Sequence, residues 1–167
     1  FISDEASDTY THEVTLTSDQ SDNDTVAVVM AFVAEGSFGE PGYREHTLTA
    51  TVTTGGTPSR QGWGVYYNYL QADQQLIQEI NISPSGGWNN KTVRVRIEKN
   101  GKNWSAQTSQ FNSLTIDPDT EITFSTDDLA VLNRFEGEVK YGYGAYSQGG
   151  ASFLNPVVSG FSPSSVY

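Results

Sequence analysis

Three oxygen-bearing side chains stand side by side at Asp22-Asn23-Asp24, with Asp19 in the same polar stretch. Hard cations such as Ca2+ take roughly six to eight oxygen ligands from carboxylates, amides, carbonyls and water. The triplet has two readings: a structural Ca2+ site, or an Asx turn in which the side chains bond their own backbone. The full spacing of an EF-hand loop is absent. Asp117-Pro118-Asp119 reads as a proline turn, and Asp127-Asp128 as helix capping.

A second group is aromatic. Trp63, Tyr66, Tyr67 and Tyr69 fall on one stretch, and Trp88-Asn89-Asn90 follows Gly86-Gly87. Sugars stack their CH faces on such rings and bond their hydroxyls to amides and carboxylates. The expected ligand-binding residues are Trp88, Asn89, Asn90 and Tyr66. Arg44 joins them because its phase on a strand points inward, where a charge needs a partner. Trp63 and Trp104 are expected in the core.

The third group is acid–base. Glu136 and Glu138 share a face if they lie on a strand, as glycosidase carboxylates do. Lys140 follows on that face and compensates the charge, so a solvated surface is expected and no catalytic residue. His12 and His46 sit on separate strands with no Cys or acidic pair beside them, which is poor zinc chemistry. There is no Gly-x-Ser-x-Gly, no phosphate loop and no Cys. The chain is therefore expected not to be an enzyme.

These side chains need a scaffold, and the composition points to strands. The chain has 167 residues, few good helix formers and 12% aromatic residues. Its formal net charge of −11, with 9 Lys plus Arg, excludes a nucleic-acid or anionic-membrane surface. The apolar run from Val26 to Ala34 is too short to span a bilayer.

Tyr10 to Thr17 alternates, with Tyr10, His12, Val14 and Leu16 on one face. Val26 to Val33 reads as a strand buried on both faces. Arg44 to Thr53 alternates again, with Thr47, Thr49 and Thr51 toward water. Gly62 to Leu70, the second half of Ala72 to Ile82, and Thr92 to Glu98 follow as strands, the last with Arg94 and Arg96 outside. Asn100-Gly101 signals a type I′ hairpin returning through Trp104 to Thr108. Glu121 to Ser125, a helical turn from Thr126 to Leu132 capped by Thr126, and strands at Glu136 to Tyr146 and Ala151 to Gly160 complete the chain. About ten strands predict an all-β antiparallel sandwich or jelly roll over residues 1–161, with 162–167 as a tail.

Two segments resemble a known family. Ser21 to Phe32 is an acidic triplet feeding an apolar strand, and Gly137 to Gln148 with Ala151-Ser152-Phe153-Leu154 is a Gly-rich, Tyr-rich late strand. Thr92 to Gly101 adds a hairpin of basic and apolar alternation. Together they resemble concanavalin A-like jelly rolls of the legume-lectin and thrombospondin C-terminal kind. The resemblance covers about two-thirds of the chain and implies that a strand precedes Phe1. It implies a calcium site at Asp22, Asn23 and Asp24. It also implies a non-catalytic module that binds carbohydrate or another cell-surface ligand within a bacterial adhesin or phage tail fibre, extracellular and trimeric if a fibre. The alternatives are a structural spacer without a ligand and a glycan-cleaving enzyme acting through Glu136 and Glu138.

Overall fold

The computed structural model describes residues 3–18, 25–33, 46–54, 61–69, 71–80, 91–144 and 151–160. Period-two alternation rich in Val, Thr and Tyr gives ten strands. They are β1 (Thr9–Ser18), β2 (Thr25–Val33), β3 (Thr47–Thr54), β4 (Gln61–Tyr67), β5 (Gln75–Ile80), β6 (Lys91–Asn100), β7 (Asn103–Ser109), β8 (Ile116–Ser125), β9 (Val139–Gly142) and β10 (Ala151–Ser159). They form two five-stranded sheets, ordered β10-β1-β6-β7-β8 and β5-β4-β3-β2-β9, with antiparallel neighbours throughout. This is the expected all-β antiparallel sandwich. Consecutive meanders β2 to β5 and β6 to β8 build most of each sheet. The late strands β9 and β10 return to flank β2 and β1.

The core lies between the sheets. Val14, Leu16, Val93 and Val95 from the first face Val52, Trp63 and Val65 from the second, and Phe135 closes one end. Trp63 is fully buried, and its Nε1–H donates to the Thr120 carbonyl at 2.9 Å, linking the sheets. Burying a side chain of this size contributes roughly 3 kcal/mol.

Several expectations are corrected. Thr47, Thr49 and Thr51 are buried, because β3 is the middle strand of its sheet and its outer face is covered. The hairpin turn is Gly101-Lys102, one residue later than expected. Gly101 has φ +58° while Lys102 is not among the positive-φ residues, the sign pattern of a II′ turn rather than I′. Asp117 to Asp119 lies inside β8, beside a register shift against β7. The helical turn is a 3-10 helix, Ala130–Phe135, and Thr126 does not cap it. Glu136 closes that helix and Glu138 precedes β9, so the two carboxylates do not share a strand face.

Candidate functional site

The outer face of the sheet β10-β1-β6-β7-β8 is polar by alternation, and register decides which polar groups meet. Glu13 lies opposite Arg96, Thr15 opposite Arg94, Arg96 opposite Gln107, and Glu98 opposite Ser105, which faces Thr123. Two adjacent grooves result. Arg96 and Glu98 are two apart on β6, as Gln107 and Ser105 are on β7, so the grooves are offset by about 7 Å along the strands.

The first groove, about 430 Å³, is lined by Glu98, Asn100, Asn103, Trp104, Ser105, Thr123, Phe124 and Asp128. Its floor is the backbone of β7 and β8, and the side chains of Trp104 and Phe124 point the other way, into the core between the sheets, where Trp104 was expected. Trp104 stacks on Phe124 at 6.0 Å and meets Tyr10 edge-on at 6.1 Å. Trp104 is 4% exposed, and its indole N–H has no partner among the described residues. Such an orphaned donor in the core costs about 1–3 kcal/mol. Asn100 and Asn103 flank the II′ turn. Asp128 accepts the Ser125 N–H at 2.7 Å, and the Ser105 hydroxyl donates to Glu121 at 2.9 Å.

The wall carrying these asparagines is held by a buried cation. Lys99 is 1% exposed, and its Nζ donates to the carbonyls of Asp8 (3.1 Å), Gly101 (2.8 Å) and Glu136 (3.0 Å). Burial lowers its pKa, and the charges of Asp8 and Glu136 oppose that shift. The ammonium also lies 5.4 Å from the Trp104 ring centroid.

The second groove, about 380 Å³, is lined by Glu13, Arg96, Gln107, Leu114, Thr115, Ile116 and Pro118. Glu13 accepts from Arg94 Nε at 2.9 Å and from Arg96 Nε and Nη2 at 3.1 and 3.0 Å. Arg94 also donates to the Thr15 hydroxyl at 2.8 Å and to the Asn155 carbonyl. Burial alone would raise the Glu13 carboxyl, but the two guanidinium groups outweigh it and hold its pKa below the usual value.

Of the expected binding residues, Tyr66 is described, and it lies on the outer face of the other sheet. It is buried, its hydroxyl donates to Glu79 at 3.1 Å, and its ring lies 4.8 Å from Tyr69. Burial, then the Glu79 charge, pushes its pKa up. Trp88, Asn89, Asn90 and Arg44, and the expected metal ligands Asp22, Asn23 and Asp24, lie outside the described residues. Among the described residues no group of three or more His, Cys, Asp or Glu is placed to hold a metal ion. His46 sits between Tyr67 Oη (3.2 Å from Nδ1) and Arg134 (2.6 Å from Nε2); the guanidinium donates, so Nδ1 carries the proton. His12 is fully buried in the other sheet. The outward phase of Glu13, Arg94 and Arg96 is readable in the sequence; what was missed is the register that clusters them.

No protein-family model matches the chain, and no curated protein sequence matches it. Solved structures do. The tailspike protein 2 enzymatically active domain of bacteriophage CBA120 aligns with TM-score 0.58 and 12% identity, over 97% of this chain and 24% of that one. The GH43 protein BlXynB of Bacillus licheniformis aligns with TM-score 0.56 and 12% identity, over 91% of this chain and 27% of that one. The Ca2+/Man-bound exoplasmic/lumenal domain of VIP36 aligns with TM-score 0.55 and 8% identity, over 95% of this chain and 71% of that one. The chain thus spans about a quarter of the tailspike and GH43 chains. The likeness establishes a jelly-roll sandwich fold, in agreement with the concanavalin A-like resemblance. It also overturns the expectation that the chain is not an enzyme, because the same sandwich occurs in the enzymatically active domain of a tailspike. No described helix is long and apolar enough to cross a membrane.

Proposed function

We propose that this domain recognises a glycan on the outer face of the sheet β10-β1-β6-β7-β8, as part of a longer carbohydrate-active or cell-attachment protein. The observation that carries the reading is the first groove. It joins two asparagine amides, two carboxylates and two hydroxyls, from Asn100, Asn103, Glu98, Asp128, Ser105 and Thr123, along one open face. Convergent donors and acceptors of this kind suit the rim of hydroxyls on a sugar ring. The fold likeness supports the same class: the VIP36 domain binds Man, and the tailspike and GH43 chains supply settings in which such a sandwich is one part of a larger molecule. An origin in a phage tail fibre or bacterial adhesin, outside the cell, fits this reading. The calcium site at Asp22, Asn23 and Asp24 remains part of the proposal, supported by the Ca2+ of the VIP36 domain.

A glycan array at neutral pH tests it, with Asn103→Ala and Asn100→Ala as paired variants. Both are expected to weaken binding by about tenfold, the size of a lost hydrogen bond to a buried site. Melting curves verify that the variants stay folded. A blank array would sink the reading and favour a spacer within a fibre. Binding that ignores both substitutions would place the ligand elsewhere.

A further inference from the structure

The second groove is built for an anion. Two of the five N–H donors of Arg96 go to Glu13, and its Nη1 donors have no partner among the described residues. Glu13 fixes the guanidinium plane from one side, and Arg94 fixes Glu13 from the other. A guanidinium held this way presents its remaining planar edge without losing rotamer freedom on binding. That edge matches a carboxylate, which can take two parallel N–H···O bonds. Leu114, 59% exposed, with Ile116 and Pro118 forms an apolar wall beside it. Such a wall suits the CH face of a sugar ring rather than a free small anion.

We infer that this groove is a subsite for a carboxylate-bearing sugar unit, of the uronic-acid class, next to the neutral sugar in the first groove. The inference rests on the glycan reading of this face. The neighbouring carboxylate is that of Glu98, which stands 4.0 Å from Arg96 Nε and is half exposed. It stands beside the edge held by Glu13, so it acts on a carboxylate at the Nη1 edge through like-charge repulsion. Glu98 also lines the first groove, so the two subsites meet at one residue.

The test is calorimetric titration of the whole chain with three oligosaccharide sets of matched length: neutral, uronate-containing and sulfated. The uronate set is expected to bind tightest and to weaken with salt. Arg96→Gln and Arg96→Lys should each lower uronate affinity about tenfold, since Lys keeps the charge but loses the planar fork. Neutral binding should not move. Glu98→Gln should strengthen uronate binding severalfold by removing a nearby like charge. Lys140→Gln, on β9 in the other sheet, should change nothing. Equal affinity for sulfated and uronate sets, or uronate binding indifferent to Arg96, would overturn the inference. If neutral oligosaccharides still bound through Asn103, the glycan reading would survive that outcome. If no set bound, both would fall together.

Discussion

Lowering the pH from 6.5 to about 4.5 protonates His12 in the unfolded chain before it does so in the folded one. The ring is fully buried, and neither nitrogen has a hydrogen-bond partner among the described residues. It packs 4.6 Å from Tyr141 and 5.8 Å from Tyr143, and Arg94 is the charge that acts on it. Burial, then Arg94, lowers its pKa from 6.5 to about 4. Across that window the unfolded state binds a proton that the folded state does not. Stability therefore falls as pH falls, by about 1.4 kcal/mol per pH step. Each end of the window falls short of the full slope, so the loss across it is about 2 kcal/mol, a large share of the roughly 5–15 kcal/mol that a domain possesses. Glu13 acts elsewhere: its folded pKa is depressed, so its contribution is present above 4.5 and is lost only below.

The assay is urea unfolding followed by tryptophan fluorescence at both pH values, for the native chain and His12→Leu. The native chain should lose about 2 kcal/mol more than the variant between them. At neutral pH the variant should be as stable or more so, because leucine removes two orphaned polar atoms without breaking a bond. A histidine proton resonance titrating near 6.5 in the folded protein and assigned to His12 would refute the reasoning. So would a pH slope that survives the substitution.

Lys99→Met strands three carbonyls that now share one ammonium, and should destabilise the fold by roughly 3 kcal/mol or more; chemical denaturation reads this directly. Gly160→Ala strains a residue at φ +93° and drives its Cβ onto the Thr9 carbonyl oxygen, beside the Ser7 hydroxyl that donates to the Gly160 carbonyl at 3.0 Å. It should lower the melting temperature by roughly 4–8 °C, about 2 kcal/mol. EDTA should lower the melting point, and added Ca2+ should restore it, by about 2.7 kcal/mol of linkage at a hundredfold excess over Kd. An unmoved midpoint would remove the calcium site from the proposal.

Much of the sandwich was legible because burial repeats every second residue. β1 is read correctly from Tyr10 to Leu16, even to the inward phase of His12. What pattern cannot supply is coverage and register. Thr47, Thr49 and Thr51 look like a water-facing stripe, yet the middle strand of a covered sheet buries both faces. The grooves depend on pairings as distant as Glu13 with Arg96, set by the II′ turn at Gly101-Lys102 and by bulges such as that between Ala106 and Thr108. A shift of one residue would send Arg96 to the core. The Glu136–Glu138 pairing failed for a related reason, because a 3-10 helix ends where a strand was expected to begin.

Two titratable residues break the apolar phase of their strands, and the sequence displays both. His12 interrupts Tyr10, Val14 and Leu16, and Lys99 extends the row Val93, Val95 and Ile97. The fold treats them in opposite ways. Lys99 reaches the end of β6, where the turn, the N-terminal segment and the 3-10 helix each offer a carbonyl, so its charge is retained in place. His12 lies inside the sandwich among aromatic rings, where no acceptor waits, so it must stay neutral. Position along the strand decides the outcome: the end of a strand meets loop backbone, whose carbonyls are free to bond, while the middle meets only side chains. Lys99 therefore fixes the wall of the proposed sugar groove, and the acid sensitivity of the domain concentrates in His12.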